Sequence, residues 1–250
     1  LSESIIPPIT LGYKALQKFG TEHQKSKYLP SLISGQKIGT VCIKDDKAGC
    51  DPNSTNVTAY QETEDEMQKI RYVLNGTKTW VTNGPSADLF TVFANLRMKG
   101  GASMSADGSS TMASQKQLTA FLVERTMPGV HIHQVVDKKV GLKGLETCAV
   151  TFKNVTLTSD YVIGIPGCGT EVLFHILTSD RIVSAAKISA ALRIMLNETI
   201  MHACKRKQFD KRLIDFELIQ TRLSQSAHHL FALESAVYMT ARDSQVCFLL

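Results

Sequence analysis

The hydrophobic pattern changes period twice along the chain. Over residues 1–37 it is helical: Pro7-Pro8 punctuates the start, Tyr13, Leu16 and Phe19 share a face, and Gly20-Thr21-Glu22 restarts a helix through Tyr28 and Leu29. Between 38 and 157 it becomes β-like. Tyr72-Val73-Leu74, Asn75-Gly76 and Thr77-Lys78-Thr79-Trp80 predict a hairpin, because Asn-Gly supplies the positive φ that a type I′ turn demands. Further strands are predicted at Leu89–Ala94, Leu118–Glu124 and Ala149–Val155. Residues 97–117, rich in Ser, Gly, Met and Ala and lacking any period, read as a mobile surface loop. From about Thr170 the helical period returns. Ile182, Ala185, Ile188, Leu192 and Met195 form one stripe, and Phe216, Ile219, Leu223, Ala227 and Leu230 form another, with Lys205–Asp215 as the connection. This order predicts an α+β fold: a helical segment over 1–37, an antiparallel β barrel or sandwich over 38–166, and the start of a helical bundle over 167–250.

Composition narrows the class. The 250 residues are enough for one large domain or two to three small ones. Net charge is +5 and the basic residues are scattered, apart from Lys205-Arg206-Lys207. Such a run is usually a solvated face, and the absence of a basic arm interleaved with aromatics argues against a nucleic-acid partner. Six cysteines form no C-x-x-C pair and no zinc spacing, so they read as small buried hydrophobes of a reducing compartment. No run reaches 18 apolar residues, which argues against a membrane-spanning helix. Leu1-Ser2-Glu3 reads as mid-domain sequence, so any targeting peptide is expected to lie outside it.

Few residues announce catalysis. There is no G-x-S-x-G and no P-loop, and Gly164-x-x-Gly167-x-Gly169 lies outside any βαβ pattern, where a glycine cluster is more often a turn than a nucleotide site. Trp80, the only tryptophan, has two readings beside Thr82: a core aromatic, or one wall of a planar cofactor site.

A resemblance separates them. Trp80-Val81-Thr82-Asn83-Gly84 with Ala87-Asp88, following Leu74-Asn75-Gly76-Thr77-Lys78, is similar to paired motifs of the acyl-CoA dehydrogenases. Gly20 through Pro30, Thr119 through Arg125, Lys139 through Gly144 and Arg206-Lys207-Gln208-Phe209 resemble further family segments, in collinear order over nearly the whole chain. The texture is closest to the very-long-chain branch and to family member nine.

The resemblance implies a mitochondrial, matrix or inner-membrane-associated flavoprotein that dehydrogenates long-chain fatty acyl-CoA at α and β. A base takes the α proton, FAD accepts the hydride, and electrons pass to electron-transfer flavoprotein. It also implies cofactor contacts at Val41, Cys42, Ile43, Lys44, Gly49, Cys50, Trp80, Val81 and Thr82. Arg206, Lys207 and Gln208 are expected to hold the FAD diphosphate of a neighbouring subunit, which requires at least a dimer. Cys50, Thr178 and Arg181 are the expected substrate contacts. The usual catalytic Glu is expected beyond Leu250, which leaves Asp180, directly before Arg181, as a fallback base only and implies negligible dehydrogenase activity for these 250 residues alone; its bland reading is a first-turn helix carboxylate or the partner of a nearby Arg. Most of the first helical domain is likewise expected to be missing.

Departures accompany the matches. The family's flavin loop, roughly C-[VL]-T-E-P-x-[AS]-G-S-D, here reads Cys42-Ile43-Lys44-Asp45-Asp46-Lys47-Ala48-Gly49-Cys50-Asp51. Lys44 either brings a cation to the flavin or points to solvent and pairs with Asp45 or Asp46. These replacements imply a diverged copy. The likeness to family member nine implies an alternative, a non-enzymatic scaffold in respiratory complex I assembly; an oxidase that delivers electrons to oxygen is a third reading, which the motifs fit least.

Overall fold

The computed structural model describes residues 12–64, 69–98, 117–136 and 138–249; the Pro7-Pro8 punctuation and nearly all of the expected loop over 97–117 lie outside them. The chain divides into two compact units, residues 1–177 and 178–250.

In the first unit two helices lead into the sheet, α1 (Lys14–Phe19) and α2 (Glu22–Ile33). Thr21 caps α2 with a reciprocal box: its hydroxyl accepts from the Gln24 amide at 3.2 Å, while the Gln24 side chain accepts from the Thr21 amide at 2.9 Å. The Gln24 Nε2 donates to the carbonyls of Asp160 and Val162 at 2.6 and 2.8 Å. That buried amide therefore ends and anchors the helix at once, and its whole polar inventory is satisfied.

The sheet has eight strands: β1 (Gly39–Cys42), β2 (Thr58–Glu64), β3 (Lys69–Thr82), β4 (Leu89–Met98), β5 (Gln117–Glu124), β6 (Val130–Ile132), β7 (Thr147–Thr158) and β8 (Val162–Ile163). Their order is β6-β7-β3-β2-β4-β5-β8, with β1 also paired to β4. Pairings are antiparallel except β1 with β4 and β2 with β4, and the expected barrel or sandwich takes the form of a sheet that does not close. β4 and β5 are buried on both faces. Phe90, Val92, Ala94, Phe121 and Val123 enter one apolar cluster, while Leu89, Phe93, Leu118, Ala120 and Leu122 enter a second with Leu16, Tyr28, Val172 and Ile176. Continuous apolar runs are what such double burial requires.

The Asn75-Gly76 hairpin does not form. β3 runs unbroken from Lys69 to Thr82, pairing with β2 along one edge and β7 along the other. A hairpin would pair residues 72–74 with 77–80, but both edges of 72–74 are already taken, by β2 and by β7. Gly76 is still demanded, for another reason: its φ is +132° and a Cβ there would lie 2.9 Å from Val57 Cα. Asn75 accepts from the Asn154 amide at 2.9 Å, opposite a bulge in β7. The strand β2 carries no apolar alternation that would predict it: it is polar, and of its residues 58–62 only Ala59 is buried.

The glycine cluster at 164–169 packs. A Cβ on Gly169 would meet the Leu118 carbonyl oxygen at 2.7 Å, so the next helix starts flush against β5. That helix, α3 (Gly169–Lys205), carries the first apolar stripe, and α4 (Glu217–Leu249) the second from Ile219 on, Phe216 lying just before its start. Between them lies a two-stranded hairpin, β9 (Lys207–Gln208) and β10 (Lys211–Arg212). Within the second unit Arg193 grips Glu234 with two hydrogen bonds, the Nε one at 2.8 Å, across α3 and α4. Among the cysteines whose side chains the structure describes, Cys42 and Cys148 fit the expectation of buried thiols, whereas Cys50, Cys168 and Cys204 are exposed; these five are free.

Candidate cofactor site

One edge of β4 is divided: Leu89–Val92 pair with β1, Asn95–Met98 with β2. Residues 43–57 leave the sheet through that division and form the segment that resembles the family's flavin loop. Its organiser is an ion pair between Lys78 and Asp45, whose side chains are 0% and 3% exposed. The Lys78 ammonium donates to the Ile43 carbonyl at 2.6 Å, the Thr55 hydroxyl at 2.7 Å and Asp45 at 3.4 Å. Asp45 in turn accepts from the amides of Lys47, Ala48 and Asn56 at 3.0, 2.9 and 3.2 Å, and from the Thr55 hydroxyl. Burying two charges is tolerable only with this degree of satisfaction. Burial pushes Lys78 down to about 8, against the pull of Asp45. For Asp45 burial works to raise the pKa, but the Thr55, Lys47 and Ala48 hydrogen bonds and the Lys78 charge together outweigh it and hold the carboxyl below its ordinary value.

Two residues beyond Lys78, β3 bulges. Lys78 is opposite Val150 and Val81 opposite Cys148, so Thr79 and Trp80 share one partner position. Trp80 takes φ +57°, a left-handed conformation that costs a side-chain-bearing residue about 1–2 kcal/mol. Trp80 is 61% exposed, which argues against the core-aromatic reading. The Thr79 amide donates to the Lys44 carbonyl at 2.9 Å, which brings the loop alongside the bulge. Val81 and Cys42 are buried in one apolar cluster, and the Thr40 hydroxyl donates to the Thr82 carbonyl at 2.6 Å. Val41 and Ile43 pack partly against the second cluster; Gly49 and Cys50 are exposed.

The Lys44 side chain is exposed. Asp45, expected as one of its partners, is committed to Lys78. The organising trio Lys78, Asp45 and Thr55 escaped the sequence reading, because a strand lysine ordinarily faces water. Two signals pointed to Lys78: its place in the family-like motif Leu74-Asn75-Gly76-Thr77-Lys78, and the alternation Tyr72, Leu74, Gly76, Lys78, which continues the buried parity through Asn-Gly.

In the second unit Thr178 and Arg181 are exposed and Asp180 is half-buried, all within α3. Asp180 is not a first-turn carboxylate: α3 begins at Gly169, and Glu171 holds the first-turn position. Arg206, Lys207 and Gln208 are exposed at the β9–β10 hairpin. Its turn is Phe209-Asp210, with φ of 51° and 59°, and Phe209 is 88% exposed.

An exposed indole held in a costly backbone conformation, beside an anchored loop that carries a cation, fits a planar, electron-accepting ligand such as a flavin. Among the described residues no cluster of His, Cys, Asp or Glu could hold a metal ion.

The fold is that of the flavin-linked acyl-CoA dehydrogenases. It superposes on butyryl-CoA dehydrogenase from Megasphaera elsdenii with a TM-score of 0.80 and 27% identity, covering 97% of this chain and 58% of that one. An acyl-CoA dehydrogenase complexed with FAD from Bacillus anthracis gives a TM-score of 0.76 at 28% identity, over 93% of this chain and 37% of that one. The family models of the acyl-CoA dehydrogenase middle domain and C-terminal domain match residues 40–155 and 167–245. The very long-chain specific acyl-CoA dehydrogenase of Bos taurus mitochondria is 35% identical over 94% of this chain. The chain belongs to the acyl-CoA dehydrogenase family. It spans about a third, 34%, of the length of that relative.

Proposed function

We propose that the protein serves FAD-dependent α,β-dehydrogenation of long-chain fatty acyl-CoA in mitochondria, with electron-transfer flavoprotein as electron acceptor. The observation that carries this is Trp80, a 61% exposed residue at positive φ within a family motif. FAD, when bound, supplies the two-electron acceptor chemistry. Trp80 offers it a stacking face and Thr82 a hydroxyl, with Val41, Cys42, Ile43 and Val81 as the wall behind. Lys44, Gly49 and Cys50 line the loop side. Arg206, Lys207 and Gln208 pair by charge and hydrogen bonding with the diphosphate of a partner subunit's FAD, which makes the protein at least a dimer. Cys50, Thr178 and Arg181 contact the thioester substrate. Asp180 takes the α proton; as an Asp it is one methylene shorter than the family's Glu, so reach limits it. The domain division 1–37, 38–166 and 167–250 belongs to this reading.

The test is spectroscopic. The purified protein is expected to be yellow, and anaerobic addition of a long-chain acyl-CoA reports by bleaching whether substrate reduces the bound flavin. Lys44 and Cys50, which depart from the family's loop, favour a second reading: a scaffold for respiratory complex I assembly. A colourless protein would support it.

A further inference from the structure

The family likeness covers Trp80 and its motif, but it does not explain why a lysine is buried to 0% exposure two residues before it. Lys78 is separated from Asp45 by 33 positions and from Thr55 by 23, so its three bonds join β3 to both ends of the 43–57 loop. Its grip on the Ile43 carbonyl fixes the residue before Lys44, and the Thr79 amide fixes the Lys44 carbonyl. Asp45 closes the loop on itself through the Lys47, Ala48 and Asn56 amides. Loop and bulge are thereby tied together through Lys44 and Thr79.

We infer that Lys78 and Asp45 are a positioning pair, which holds residues 43–56 in the one conformation that sets Lys44 against Thr79 and fixes how Trp80 is presented. The link to a cofactor rests on the proposed flavin reading; the loop geometry does not. Preorganisation of this kind needs supporting residues locked by packing and hydrogen bonds, and both partners here are locked.

Trp80 is the chain's only tryptophan, so its fluorescence anisotropy reports the bulge without any ligand. The experiment compares wild type with Lys78→Met, the charge-only change Asp45→Asn and the conservative Asp45→Glu, all flavin-free. Amide hydrogen exchange is followed at Ala48 and Asn56 and, as a control, in β5. In Lys78→Met and Asp45→Asn the loop amides should exchange about tenfold faster or more and the Trp80 anisotropy should fall, while β5 protection stays as in wild type. Asp45→Glu should recover most of both signals. If Lys78→Met does not fold, Asp45→Asn alone decides. Unchanged loop exchange and anisotropy would overturn the inference. So would β5 amides accelerating in step with the loop, because the pair would then be a general core support. FAD titration of the same variants adds a separate arm, in which the affinity should fall about tenfold or more. Wild type that takes up no FAD removes the flavin reading, and the loop signals still judge the pair.

Discussion

Replacing Trp80 by Gly and by Ala separates what its side chain does from what its backbone does. At φ +57° the residue pays the left-handed penalty, which Gly escapes and Ala keeps. With 61% of the residue already in water, either truncation removes little packing. Trp80→Gly should therefore be more stable than Trp80→Ala by about 1 kcal/mol, the reverse of the usual order in a strand. Flavin affinity should fall equally in both. A lost stacking face of about 1–3 kcal/mol corresponds to roughly 5–150-fold in dissociation constant. Urea denaturation of the flavin-free variants measures the first quantity, and quenching of flavin fluorescence on binding measures the second. If both variants keep wild-type flavin affinity and both lose about 3 kcal/mol or more of stability, Trp80 is a packing residue and the cofactor argument fails.

Gly76→Ala should destabilise by about 2–4 kcal/mol, since it adds strain at φ +132° to a Cβ placed 2.9 Å from Val57 Cα; an equilibrium loss below about 0.5 kcal/mol would show that β3 and β2 can part freely there. The buried pair makes stability pH-dependent at both ends. Lys78 is pushed down to about 8 from the ordinary 10.5, so between those values the unfolded chain binds a proton the folded one lacks, and the stability difference between wild type and Lys78→Met should rise with pH across that window. Asp45 is held below 3.8, so its contribution is present above that value and disappears as pH falls through its lower folded pKa; Asp45→Asn should abolish this acid limb in urea midpoints. Lys44→Thr should lower the flavin reduction potential, because a cation favours the anionic reduced form; an unchanged potential in spectroelectrochemical titration would leave Lys44 as a solvent-facing residue. Asp180→Asn should abolish whatever anaerobic bleaching an acyl-CoA produces, and retained bleaching would remove Asp180 as the base.

Elements whose burial is written into local periodicity were legible in the sequence. β4 and β5 could be read from Leu89–Ala94 and Leu118–Glu124 because strands buried on both faces need unbroken apolar runs. The restart of α2 at Gly20-Thr21-Glu22 could be read because a cap is a local hydrogen-bond device spanning three residues. The order of helices, β structure and helices, and the family itself, followed from the same one-dimensional information. Asn75-Gly76 was misjudged for the opposite reason. Its local turn chemistry is genuine, but two long-range neighbours, β2 and β7, outbid a pairing of the strand with itself, and the glycine serves close approach to Val57. The left-handed bulge at Trp80 and the burial of Lys78 had no local signature. A lysine can enter a core only when a carboxylate, a hydroxyl and a carbonyl from distant positions converge on it, and that convergence exists only once the sheet has formed. The sequence by itself thus determined the elements and the lineage, because both are carried by short-range pattern; tertiary structure alone decided which side chains face the candidate site, because desolvation depends on partners far apart in the chain.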